Sequence, residues 1–233
     1  MARTIAALIR HGEYRQQPDT PSAHQPYGLT AEGRAAVQYE AVRFAERMEK
    51  QAWTISHRID SSNMLRAWQT ALIFAENLFQ HEMPTTLVKS HDALAERGVG
   101  SVANLTIQQI EKIIIKDPRY EEPPQNWKSD SYYCLPFQGA ESLIQAGERV
   151  AAHLQQQMQK LQSGVDVDTV KLFVGHGAAF RHAAFHLGIL EFEHLAQLSM
   201  HHASPVLIEY KEDGIWRHVA GDWKRRSAEN GLD

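Results

Sequence analysis

At 233 residues with 43% hydrophobic side chains, the chain can bury the core of one large domain, or of one domain with a cap, and is too short for two independent enzymes. Lys plus Arg number 24 against 28 Asp plus Glu, a formal net charge of −4, which excludes a generally basic surface for nucleic acid or anionic lipid, so any anion site has to be local. The single cysteine, Cys134, excludes an internal disulfide and points to a reducing compartment, expected to be the cytoplasm.

The first element is read from Thr4 to Ile9, a short apolar run that stops at Arg10-His11-Gly12 and has the pattern of a buried strand ending in a tight loop. It is too short for a membrane span or a signal h-region, so no targeting segment is expected. Pro18, Pro21 and Pro26 mark residues 15–28 as loop. Thr30 can cap a helix whose apolar face includes Ala35, Val37, Ala41, Val42, Ala45 and Met48. A strand is expected over Ser56 to Asp60, a helix over Leu65 to Phe79, and a third strand around Leu87 and Val88.

From Thr106 the spacing of Ile107, Ile110, Ile113 and Ile114 is helical and ends before Asp117-Pro118. Three prolines with Trp127, Tyr132 and Tyr133 between Pro118 and Phe137 read as an ordered excursion, part of a cap insertion over roughly 97–140. A long helix is expected over Glu141 to Gln162, a buried strand over Thr169 to Val174, and a helix from about Ala178 to Leu187. Two last strands, Val206 to Tyr210 and Ile215 to Ala220, flank a turn at Glu212-Asp213-Gly214. Strands alternating with helices predict a three-layer α/β/α sandwich around a mostly parallel sheet, with the reactive site beyond the carboxyl ends of the strands.

Two strand ends deliver a His beside a Gly: Arg10-His11-Gly12 and Gly175-His176-Gly177. A strand-end histidine can simply bond a backbone carbonyl, but the same context twice points to a shared pocket. Arg66 falls in the first turn of a helix, where the macrodipole disfavours a cation and the free N–H groups favour an anion, so it reads either as an ordinary solvated arginine or as one held by another partner such as a phosphate.

Five blocks in order, Leu8-Ile9-Arg10-His11-Gly12-Glu13, Ser61-Ser62 with Arg66-Ala67 and Thr70-Ala71, Leu94-Ala95-Glu96-Arg97, Gly139-Ala140-Glu141-Ser142 and Val174-Gly175-His176-Gly177, resemble the phosphoglycerate-mutase-like branch of the histidine phosphatase superfamily. The resemblance spans nearly the whole chain and implies one catalytic domain over 1–233. By that likeness His11 is the phosphorylated nucleophile, Arg10 and Arg66 grip the phosphoryl oxygens, His176 is the second pocket histidine and Glu96 the proton donor, with Asp92 as the nearby fallback. Gly12, Ser62 and Gly177 join them as phosphate-binding residues. The physics agrees, because phosphoryl transfer needs positioning and charge neutralisation that arginine forks supply. His176, if protonated, would add a third cationic donor. Glu96 would be held protonated by anionic surroundings. No cofactor and no metal is implied.

Mutases of this type carry a Ser and an Asn soon after Arg-His-Gly-Glu, where this sequence has Tyr14-Arg15-Gln16-Gln17. Tyr14, Leu29-Thr30, Gly33, Arg181 and Leu198-Ser199 look similar to a protein Ser/Thr phosphatase of the same superfamily. The expected activity is therefore that of a phosphomonoesterase acting on a phosphorylated small molecule or phosphoprotein, with a mutase, a sugar-phosphate phosphatase or a noncatalytic phospholigand-binding protein as alternatives. Neither nucleic acid nor membrane is an expected partner, and a homodimer is open. The remaining histidines, including the His182 and His186 pair, His201-His202 and His91, could share a metal but read more simply as packed or surface groups. Lys224-Arg225-Arg226 reads as a solvated tail.

Overall fold

In the computed structural model, which describes residues 2–21, 24–79 and 82–226, the chain opens with β1 (Thr4–Arg10), buried along its whole length. Next come α1 (Ala31–Gln51), β2 (Thr54–Ile55), β3 (Ile59–Ser62), α2 (Leu65–Leu78), the one-turn α3 (Pro84–Leu87), β4 (Val88–His91) and α4 (Ile107–Lys116). The second half contains α5 (Leu143–Gln162), β5 (Thr169–Gly175), α6 (Gly177–His186), the short α7 (Phe192–Leu195), β6 (Leu198–Met200), β7 (Val206–Tyr210), β8 (Trp216–Ala220) and β9 (Trp223–Arg225).

The main sheet runs β4-β3-β5-β1-β7-β8, with β2 also on β5. β4, β3, β2, β5 and β1 are joined in parallel, while β7 and β8 add antiparallel strands on the far side of β1. This is the expected α/β fold with a mostly parallel central sheet. The period-2 alternation of β1 builds its two faces. Ile5, Ala7 and Ile9 pack with Val37, Phe44 and Met48 of α1 and Phe74 of α2, while Ala6 and Leu8 pack with Val150 and Leu154 of α5 and Phe180 of α6. A third cluster, Val99, Val102, Ile110, Ile114, Trp127 and Leu135, belongs to the insertion alone.

Helix starts follow the side chains that satisfy free backbone N–H groups. The Thr30 hydroxyl accepts from Gly33 N–H at 2.9 Å, and Thr106 and Ser142 each form a reciprocal capping box with a glutamine three residues on. Ser142 therefore starts α5 at Leu143 and not at Glu141, whose carboxylate instead pairs with Arg149. Two further expectations are corrected. The strand expected over Ser56 to Asp60 lies at Ile59–Ser62, where Asp60, Ser61 and Ser62 are buried, so its polar sequence disguised it. Lys224 and Arg225 do not form a tail: β9 pairs antiparallel with β6, setting Lys224 opposite Ser199, while Arg225 is exposed as expected.

Candidate active site

Because β1 and β5 are parallel partners with Arg10 opposite Gly175, the two strand-end histidines emerge side by side. The His11 N–H donates to the Gly175 carbonyl at 3.0 Å, and the His11 and His176 rings stand 5.1 Å apart, edge to face. The Gly12 carbonyl lies 2.8 Å from His11 Nδ1, which makes Nδ1 the protonated nitrogen and leaves the lone pair on Nε2. That lone pair accepts from Arg66 Nε at 3.2 Å.

Arg66 is wholly buried at the start of α2. Its Nη1 donates to the Gln25 carbonyl at 3.0 Å, its Nη2 faces His176 Nδ1 at 3.3 Å, and its guanidinium lies over the Tyr14 ring at 4.4 Å. Thr70 holds the first turn of α2 to the loop after β1: its hydroxyl accepts from Gly12 N–H at 3.0 Å and donates to the Arg66 carbonyl at 2.8 Å. His176, accepting from Arg66 on Nδ1, carries its proton on Nε2, which donates to Ser62 Oγ at 2.9 Å. Arg10 donates from Nη1 to the Met200 carbonyl at 3.0 Å, so the small β6-β9 sheet backs the guanidinium. The structure thus brings together Arg10, His11, Arg66 and His176, as expected.

Glu96 shares a cavity with Arg10 and His11, lined as well by Tyr14, Gln16, Gly177, Ala178 and Arg181. Arg97 N–H donates to Glu96 Oε1 at 2.8 Å, which fixes the carboxyl group. The fallback, Asp92, bonds Asn63 and does not line this cavity.

Burial, reinforced by the charges of Arg66 and Arg10, holds the His11 pKa well below the usual 6.5 even against the Gly12 carbonyl bond. His11 is therefore neutral at pH 7, with its Nε2 lone pair available. His176 is pushed down by burial and then by Arg66 and Arg10. The condition attached to its cationic role, protonation, is therefore disfavoured in the free pocket. The surroundings of Glu96 also differ from expectation, since its charged neighbours on the cavity are Arg10 and Arg181.

Two of the expected phosphate contacts have other duties. The Gly12 N–H is committed to Thr70, and a Cβ on Gly12 would stand 2.5 Å from Val37 Cγ2, so this glycine is required by the approach of α1. Ser62 Oγ holds His176. Gly177 does line the cavity.

The histidine phosphatase superfamily (branch 1) profile matches residues 6–222. The chain belongs to that superfamily. Similar solved structures include a mycobacterial glucosyl-3-phosphoglycerate phosphatase (22% identity, TM-score 0.65, covering 94% of this chain and 97% of that one). A phosphoglycerate mutase from Bacillus anthracis superposes at TM-score 0.70 with 17% identity over 94% of this chain and 93% of its own. The α-ribazole phosphatase of Shigella flexneri gives 0.67 with 16% identity over 92% and 94%. No curated protein sequence matches significantly.

The cavity has a rim that sequence reasoning did not assign to the site, Tyr14 and Gln16 from the loop after β1 and Arg181 from α6; His202, outside that lining, meets the His11 ring edge-on at 5.7 Å. The signal available for Arg181 was its place one turn beyond Gly177 on the same helix. His182 and His186 share no site: His182 Nδ1 donates to the Ala178 carbonyl and its Nε2 meets Ser131 Oγ at 3.0 Å, while His186 Nε2 faces the Ile144 carbonyl. Trp127 is buried in the insertion's own cluster, whereas Tyr132 is exposed and packs on Phe192. No helix among the described residues is long and apolar enough to cross a membrane.

Proposed function

We propose that the chain is a phosphoric monoester hydrolase that acts through a phosphohistidine on His11 Nε2. The observation that carries this reading is the proton-free His11 Nε2 held 3.2 Å from the buried Arg66 Nε, at a cavity shared with Arg10 and Glu96. An incoming phosphoryl group displaces that hydrogen bond, so the arginine that holds the lone pair in the free pocket becomes a donor to the phosphoryl oxygens.

In the first half of the cycle His11 Nε2 attacks phosphorus, the P–O bond breaks, and Glu96, in the acid form that a bound phosphoryl dianion favours, gives its proton to the leaving oxygen. In the second half the Glu96 carboxylate takes a proton from water, whose oxygen attacks phosphorus and releases His11 and inorganic phosphate. Arg10 and Arg66 neutralise the equatorial oxygens, so the cycle needs no metal ion. A phosphoryl dianion favours the charged form of His176, and the imidazolium role begins only when substrate arrives. The substrate is a phosphorylated small molecule or phosphoprotein selected by Tyr14, Gln16 and Arg181 at the rim.

Hydrolysis of p-nitrophenyl phosphate in the presence of EDTA, loss of that activity in His11→Ala, and an acid-labile, base-stable phosphoryl adduct on the wild-type chain are the expected results. Turnover that disappears with EDTA would replace this reading by a metal-dependent one. Phosphate binding without turnover would make the chain a binding protein, and transfer between hydroxyls of a phosphoglycerate faster than release of phosphate would make it a mutase.

A further inference from the structure

We infer that Asp60, His91 and His153 form a binding site for a divalent transition-metal ion of the zinc class, separate from the phosphate pocket. The three residues arrive from three elements: Asp60 from β3, His91 from the end of β4, and His153 from the middle of α5. One donor atom from each lies within 4.8 Å of the other two. Two imidazoles and a carboxylate are a common protein donor set for zinc, with the fourth position left to water.

The spacing fits such an ion. With metal–ligand bonds of about 2.0–2.1 Å, the edge of a tetrahedron is about 3.4 Å. His153 Nε2 stands 3.0 Å from Asp60 Oδ2 and His91 Nε2 stands 3.6 Å from the same oxygen, on either side of that value. The His91 contact is the independent sign of a ligand. Its Nε2 atom is buried, points at the carboxylate, and makes no hydrogen bond among the described residues, the separation being too long for one. A buried nitrogen left in that state costs free energy, and a cation between it and Asp60 would satisfy both groups.

Metal binding asks for one change of protonation: His153 Nε2, which donates to Asp60 Oδ2 at 3.0 Å in the free site, must pass its proton to Nδ1 or release it before it can ligate. Burial opposes ionisation of Asp60, but the His153 hydrogen bond and Lys171 outweigh it and hold the carboxyl below its usual range. Burial keeps His91 neutral below its ordinary value, against the pull of Asp60. Lys171 Nζ bonds Asp60 Oδ1 at 2.8 Å, which leaves Oδ2 to the ion but sets a positive charge nearby. Binding is accordingly weaker than at the same three ligands without the lysine. An ion here would tie β3, β4 and α5 together, two residues upstream of the Ser62 that holds His176. It would add rigidity and take no part in the phosphoryl steps.

The test uses full-length protein stripped with chelator, then titrated with Zn²⁺ in a non-coordinating buffer at pH 7.5 and separately with Co²⁺. Wild type and His11→Ala should each bind one equivalent, show the visible absorption of four-coordinate cobalt, and gain thermal stability on binding. His91→Ala should fold, keep basal turnover, and bind at least about tenfold more weakly with no gain in thermal midpoint. His153→Gln should behave alike, and if it fails to fold, His91→Ala decides. Absence of Zn²⁺ binding in wild type, unchanged affinity in His91→Ala, or loss of the equivalent in His11→Ala would each overturn the assignment.

Discussion

Gly33, in the first turn of α1, lies so close to Glu13 that a Cβ placed on it would stand 2.1 Å from the Glu13 carbonyl oxygen. The same carbonyl accepts from Thr30 N–H at 3.1 Å, so the N-terminus of α1 is clamped onto the loop that carries His11. Gly12 completes the contact from the other side, against Val37 and the Gly33 carbonyl. His11 is positioned as much by this glycine pair as by the strand that precedes it.

Gly33→Ala should therefore lower both stability and activity. Helix propensity alone would favour alanine by roughly 1 kcal/mol. Backbone displacement by the new Cβ should outweigh it, for a net loss of about 1–3 kcal/mol, and a misplaced His11 should reduce kcat/KM by on the order of 10²-fold. Urea denaturation and p-nitrophenyl phosphate kinetics measure the two effects. Unchanged kcat/KM would show that the loop does not depend on α1.

A second prediction concerns acid. His182 links α6 to Ser131 in the insertion, and burial lowers its pKa to about 4, against a bond to the Ala178 carbonyl that raises it. In the unfolded chain it protonates near 6.5, so between pH 6.5 and 4 the unfolded state holds more protons and stability falls as pH falls. The shift corresponds to roughly 3 kcal/mol once pH reaches 4. His11 and His176 are displaced in the same direction and add to the slope. Asp60, whose pKa is depressed below 3.8, loses its contribution only at still lower pH. Unfolding free energies at pH 7.5 and 5 should differ accordingly, and His182→Gln should flatten the dependence. An equal pH slope in the variant would remove His182 from this account.

The sequence made some of this legible and hid the rest for physical reasons. β1 and β5 are buried on both faces, so their apolar runs could be read directly, and their parallel pairing then forced His11 beside His176. Arg66 was legible because a cation in the first turn of a helix calls for a partner. β3 was displaced by several residues because Asp60 and Ser62 are buried with polar partners, a condition that hydrophobic patterning does not register. β6 and β9 are three residues each, too short for periodicity, and their pairing joins segments more than twenty residues apart. The neutral state of His176 depends on burial and on the two arginines, neither of which is visible in a string of residues.

Replacing Arg66 by lysine should expose the value of its planar fork. Arg66 serves the Gln25 carbonyl, His11 Nε2 and His176 Nδ1 from three different nitrogens. A lysine keeps the charge but offers one nitrogen, so it cannot hold both histidines and present a bidentate face to phosphate. The expected loss in kcat/KM is about 10²–10³-fold, with phosphate inhibition weakened in parallel. Near wild-type kinetics would mean that Arg66 contributes charge alone, and the geometry argued for the phosphoryl site would fail with it.

Glu96→Ala separates proton donation from phosphate binding. Glu96 shares the cavity with His11, while Arg10 and Arg66 retain their contacts without it. For p-nitrophenyl phosphate, whose leaving group departs as a stable anion, the first step needs little help and phosphohistidine formation should survive. For an alkyl phosphate the leaving oxygen must be protonated as the bond breaks, and removal of the acid should slow that step by about 10²–10⁴-fold. Because the proposed cycle also has Glu96 activate the water of the second step, the variant should accumulate phosphohistidine on the activated substrate and show a burst followed by slow turnover. A uniform slowing of both substrates with no burst would assign Glu96 to substrate binding and move the search for the acid to other groups at the rim.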